Sequence, residues 1–165
     1  MQQLLITLRF LLIIFCAASY SCAQDVVNIA KPLAIYAGST PCDSLIRTHI
    51  GIPGNAKCDF IKWQLTIEAA RSDSFQIKAT YGESKPNTLG FIKATEFQAK
   101  GKYLLTTGTK DNPKAYILQL IAPEFKAPFI FIVMDRNILH FADKEKRLLV
   151  GNGGWGYVLN SIKNP

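Results

Sequence analysis

The chain is short of the groups from which most catalytic centres are built. It has two histidines, His49 and His140, in 165 residues. It contains no Gly-x-Ser-x-Gly segment, so the strand–turn–helix that presents a nucleophilic serine is missing. No glycine-rich loop runs into a lysine to cradle a phosphate. No Cys-x-x-Cys or His-x-x-x-His pair offers a ready metal site. Basic residues outnumber acidic ones by 19 to 12, for a net charge of +7, but the bases are single lysines between apolar residues. That pattern makes a solvated basic surface, and a nucleic-acid module would need clustered bases. These absences argue against an enzyme, against a cofactor and against a nucleic-acid partner.

Charge is also scarce at the start. Arg9 is the only charged side chain before Asp25, and residues 10–18 are all apolar. Ser19, Tyr20, Ser21, Cys22 and Ala23 follow. A short positive segment, a short apolar core and small residues before a break form a secretory signal. Ser21 and Ala23 suit the small-residue positions of a cut after Ala23, which makes residues 1–23 a signal peptide. The apolar run is well short of the roughly 20 residues that span a bilayer, although a retained N-terminal anchor is an alternative. Cleavage just before Cys22 is another, and Cys22 would then carry a lipid. Ser21 suits that reading, whereas Ser19 stands where such signals usually have leucine. The first cut gives an exported protein, periplasmic or secreted. The second gives one anchored in the envelope by lipid, which is the route to a membrane for a chain that has been cut. Residues 24–165 are expected to form a single domain.

Two cysteines remain after either cut, Cys42 and Cys58, besides Cys22 itself in the lipidated form. Outside the cytosol such a pair is most simply a disulfide. It would close about 15 residues and contribute roughly 3 kcal/mol in the chain-entropy picture. Cys42, His49 and Cys58 together are the alternative, a soft ligand set for copper(I) or zinc. Free or redox-active thiols are a third reading.

No long stretch keeps a helical period; alternation with period two recurs instead. In residues 60–70, Ile61, Trp63, Leu65, Ile67 and Ala69 share one face, and Lys62, Gln64, Thr66 and Glu68 the other. Residues 74–81 repeat the pattern after a polar turn at 71–73, so the two form a hairpin. Further strands are expected at 32–38, 90–98, 101–107, 114–121, 129–135, 138–142, 147–150 and 155–162. The run 129–135 is apolar on both faces, as in a central strand. Residues 151–154 read as a tight turn using the positive φ open to glycine. Residues 39–59 read as a long loop. Short connections favour antiparallel neighbours. The expected fold is therefore all-β, a small antiparallel up-and-down β-barrel of about 8–10 short strands.

A barrel of this size is filled by side chains or holds one small ligand. Trp63, Phe75, Tyr116, Phe131, Trp155 and Tyr157 are the candidates to line such a cavity. His140 lies on the face opposite Leu139 and Phe141.

The segment Tyr36-Ala37-Gly38-Ser39-Thr40-Pro41-Cys42-Asp43 resembles the opening of the N-terminal domain of NlpE-type copper-resistance lipoproteins. The order of strands after it, and the ending from Asp135 to Asn160 with Gly151-Asn152-Gly153-Gly154-Trp155-Gly156-Tyr157, are similar to an uncharacterised exported NlpE-like group. The resemblance spans most of residues 33–160 and implies a lipocalin-like barrel. The family's Cys-x-x-Cys would need a second cysteine where Leu45 stands, so its copper or redox role does not carry over to Cys42. Three functions are then open. The first is an exported barrel binding a small apolar ligand or sensing envelope conditions. The second is a structural or interaction protein with a filled barrel and an envelope-protein partner. The third is a copper- or redox-responsive protein acting through the cysteine loop.

Overall fold

The computed structural model describes residues 34–68 and 73–162. It contains β1 (Ala34–Pro41), β2 (Phe60–Glu68), β3 (Ser74–Ser84), β4 (Phe91–Thr107), β5 (Tyr116–Ile121), β6 (Phe129–Asp135), β7 (Ile138–Ala142) and β8 (Val158–Ser161). A helix, α1 (Ser44–Ile50), lies between β1 and β2. Each strand pairs antiparallel with the next, and β8 pairs with β1, so the sheet closes into a barrel. This is the up-and-down meander that short connections favour.

The alternation in the sequence is the alternation of the walls. Ile61, Trp63, Leu65 and Ile67 of β2 are buried, while Gln64 and Glu68 are exposed. The register sets Trp63 opposite Ala79, Leu65 opposite Ile77 and Ile67 opposite Phe75, all on the inner face. A one-residue slip would turn every one of these side chains outward, so the pattern specifies the register.

Several features differ from the expectation. Segments 90–98 and 101–107 are one strand of 17 residues. Gly101 reads as a strand opening but sits inside β4, where a Cβ would collide with the Ile121 carbonyl and the Phe75 ring. Segment 147–150 is not a strand; Leu148 makes an isolated bridge to Ala142. The closing strand is only Val158–Ser161. The glycines of 151–154 do not use positive φ, which among the described glycines occurs at Gly51 and Gly108. Gly151 is instead needed for close approach, since a Cβ there would meet the Trp155 carbonyl.

The loop expected at 39–59 is partly ordered as strand and helix. Asp43 caps α1, its Oδ1 accepting the Ile46 N–H at 2.9 Å. Gly51 ends the helix in the left-handed conformation, its N–H reaching the Arg47 and Thr48 carbonyls. Ile46, Ile50 and Ile52 join the core, as does Phe125 from the β5–β6 connection. The Lys126 N–H donates to the His49 carbonyl at 2.9 Å. Helix and connection thus close the end of the barrel from which the β1–β2 and β5–β6 links emerge.

Candidate functional site

The interior is occupied by rings. Phe129 lies among His49, Trp63, Phe125, Phe131 and Phe141, with ring centroids 4.8–6.5 Å away. Phe131 and Phe141 meet at 4.4 Å. A side chain lining an empty chamber presents surface to it; Phe131 is 0% exposed, Phe141 1% and Leu118 0%. The indole N–H of Trp63 donates to the Thr40 hydroxyl at 2.9 Å, so the buried polar atoms of this pair satisfy each other.

Of the six residues expected to line a cavity, Trp63, Phe75, Phe131 and Tyr157 are buried in this packed core. Tyr116 is half-buried and packs against it. Trp155 is the correction. It lies in the β7–β8 connection and stacks on Phe60 at 4.3 Å, and Phe60 in turn stacks on Phe91 at 4.4 Å. Phe60 precedes the inward Ile61, so this aromatic stack covers the outer wall.

The cysteine loop does not assemble the metal-ligand alternative. The Cys42 and Cys58 sulfurs lie at disulfide distance from each other, with Cα atoms 5.8 Å apart. Sulfurs bonded to each other are no longer thiolate ligands. The His49 ring packs against Phe129, and its Nδ1 lies 2.8 Å from the Leu45 carbonyl oxygen. His140 is half-buried with Nδ1 2.9 Å from the Phe141 carbonyl oxygen. Cys22 falls outside the described residues. Sequence reasoning missed Arg47, whose guanidinium donates to the carbonyls of Gly54 at 2.9 Å and Ala56 at 2.5 Å and so organises the loop.

A groove lies on the outer wall. Its volume is about 480 Å³, and its lining includes Ile132, Met134 and Leu148 with Asp111, Lys146 and Arg147 around them. The turn after β7 builds it by folding back over β6. Leu148 bridges Ala142, and Lys146 Nζ donates to the Gly108 carbonyl at 3.1 Å. Lys146 holds φ at 63°, a strained value for a residue with a side chain. Burial alone would raise the Asp143 carboxyl, but the backbone and guanidinium bonds from Arg147 outweigh it and hold it below the usual carboxylate range. The turn lies beside Ile132, which is buried although it is on the outer face. Met134 and Leu148 remain open to solvent, giving an apolar floor beside two cations.

One further polar contact crosses the molecule. The Tyr157 hydroxyl donates to Asp43 Oδ2, so one carboxylate both caps α1 and holds the entry to β8. Burial raises the Tyr157 pKa, and the Asp43 hydrogen bond and charge raise it further. Tyr36 and Tyr103 are raised as well, chiefly by burial. A phenol whose pKa is higher in the folded state keeps its proton while the unfolded chain loses it. Its contribution is therefore present below the ordinary tyrosine value of about 10 and lost as pH rises above it. Denaturation from neutral to alkaline pH is expected to show falling stability above about pH 10. Tyr157→Phe should flatten part of that fall and cost about 1 kcal/mol at neutral pH; an unchanged alkaline slope would contradict the assignment.

Compared with protein-family models, curated proteins and solved structures, the chain matches none.

Proposed function

We propose that this protein is an exported, non-enzymatic interaction module of the cell envelope that works through its outer wall rather than by carrying a ligand inside its barrel. The observation that carries this reading is the packing around Phe129, where a lipocalin-like carrier would have its chamber. Export is supported by the signal-like residues 1–23 and by a cysteine pair at disulfide distance. The similarity of residues 36–43 to NlpE-type domains accords with an envelope role and names no ligand.

The small-ligand reading finds a foothold in the external groove. Its volume falls in the range of small-molecule sites, and an apolar floor beside Lys146 and Arg147 suits an anion with an apolar body. An anilinonaphthalene sulfonate dye has that chemistry. The expected result is weak, saturable binding to the native protein, reduced roughly tenfold by Leu148→Asp, which places a carboxylate on the floor. Native mass spectrometry of protein purified from its source should meanwhile show no apolar ligand held by the folded barrel. A tightly held lipid or cofactor, or dye binding indifferent to Leu148→Asp, would overturn the outer-wall reading.

A further inference from the structure

We infer that β4 carries an open sheet edge, residues 94–100, that pairs with the same edge of a second copy of this chain about a two-fold axis at Gln98. This goes beyond the proposed function and does not depend on it. The ladder directions place the edge. Tyr103 N–H donates across to Asp73 of the β3 side, and Gly108 N–H donates across to Ala115 of the β5 side, each at 2.9 Å. Successive residues of a strand aim their main-chain groups to opposite sides. Odd-numbered residues from Thr95 to Tyr103 therefore face β3, and even-numbered residues face away from it. Strand β5 takes up this second side only from Lys102 to Thr107. Ala94, Glu96, Gln98 and Lys100 are paired through their neighbours to β3 but, among the described residues, have no strand on the other side. Among the described residues no turn or loop main-chain bond reaches them either. All four are exposed. A register shift between Gly82 and Ser84 disturbs the ladder beyond Ala94 and limits the straight edge to this segment.

An edge of this kind is a template for another strand. The charges select the partner. In an antiparallel pairing centred on Gln98, Glu96 stands opposite Lys100 of the second copy, and Lys100 opposite its Glu96. The pairing spans 96–100 and stops there, because Ile121 of β5 already fills the place beside Lys102; within it no like charges face each other, and such opposition of unlike charges favours the pairing. The even-numbered residues meet as hydrogen-bonded pairs, which is what their outward N–H and C=O groups require. Glu96 already reaches Lys78 of its own chain at 2.9 Å on the exposed outer face, and the second copy's lysine would approach the same carboxylate.

Sedimentation of the protein as purified from its source, at concentrations up to about 1 mM, is expected to show a reversible monomer–dimer equilibrium. Gln98→Pro removes an outward N–H and no internal bond, so the variant should keep its β circular dichroism and sediment as a monomer. Glu96→Lys should weaken association roughly tenfold, and Glu96→Lys with Lys100→Glu should recover it, because the swap restores both pairs. A chain that stays monomeric throughout, or a dimer that survives Gln98→Pro, would overturn the proposal.

Discussion

Replacing Phe129 by alanine is expected to destabilise the barrel by about 3–5 kcal/mol, measured as a lower midpoint in urea with an unchanged slope. The size follows from the position of the ring. Phe129 is 2% exposed and touches rings from β2, β6, β7, α1 and the β5–β6 connection. Its removal takes away burial and leaves a void that five neighbours from separate elements cannot all close. A domain of this class is stable by only about 5–15 kcal/mol in total, so the loss is a large share. Such a void is apolar and stays dry, and it should admit a benzene-sized probe that the native interior refuses. A loss below about 1 kcal/mol would mean that the centre is loosely filled.

The second large effect is expected from the cysteine pair. Substituting serine at both Cys42 and Cys58, or reducing them, should cost roughly 3 kcal/mol, seen as a lower denaturation midpoint. The pair ties the end of β1 to the start of β2 across a separation of 16 residues. Between them α1 has only seven residues, too few to hold a helix in isolation. It is kept in place by the Asp43 cap, by Arg47 on the loop carbonyls, and by Ile46 and Ile50 in the core. Asp59, just beyond Cys58, accepts the Ser84 N–H and hydroxyl at 2.7 and 2.8 Å. Those bonds hold its carboxyl below the usual range, so its contribution is present at neutral pH and is lost as pH falls through that lowered value. With the staple gone, amide exchange should quicken first in residues 44–58 while β2 and β3 stay protected. Equal stability with and without reductant would contradict this account.

Much of the barrel was legible because a half-buried strand writes its two faces into alternate residues. Segments 129–135 and 138–142 coincide with β6 and β7, and the hairpin 60–81 holds β2 and most of β3, which runs on to Ser84. The helix was not legible by period, since seven residues cannot display one, although Asp43 and Gly51 are its start and stop signals. The continuity of β4 was hidden by Gly101, a residue that marks turns in most sequences but here admits the Ile121 carbonyl. The groove was least visible. Its one trace is the outer-face apolar pair Ile130 and Ile132, which made residues 129–135 read as a central strand; the turn beside Ile132 comes 11 or more residues later in the chain. The placement of Trp155 on the outside depends on Phe60 and Phe91, which are distant in sequence, and no local pattern reports it.

The claim on which the functional reading turns is that the barrel is filled by its own side chains. Methyl NMR spectra of the native protein titrated with benzene test it directly, with Phe129→Ala as the positive control. The methyls of Leu65, Ile77, Leu118 and Leu120, all at 0% exposure, should not shift in the native protein, whereas those near residue 129 should shift in the variant. Saturable shifts of these interior methyls in the native protein would reveal a ligand chamber and contradict the account.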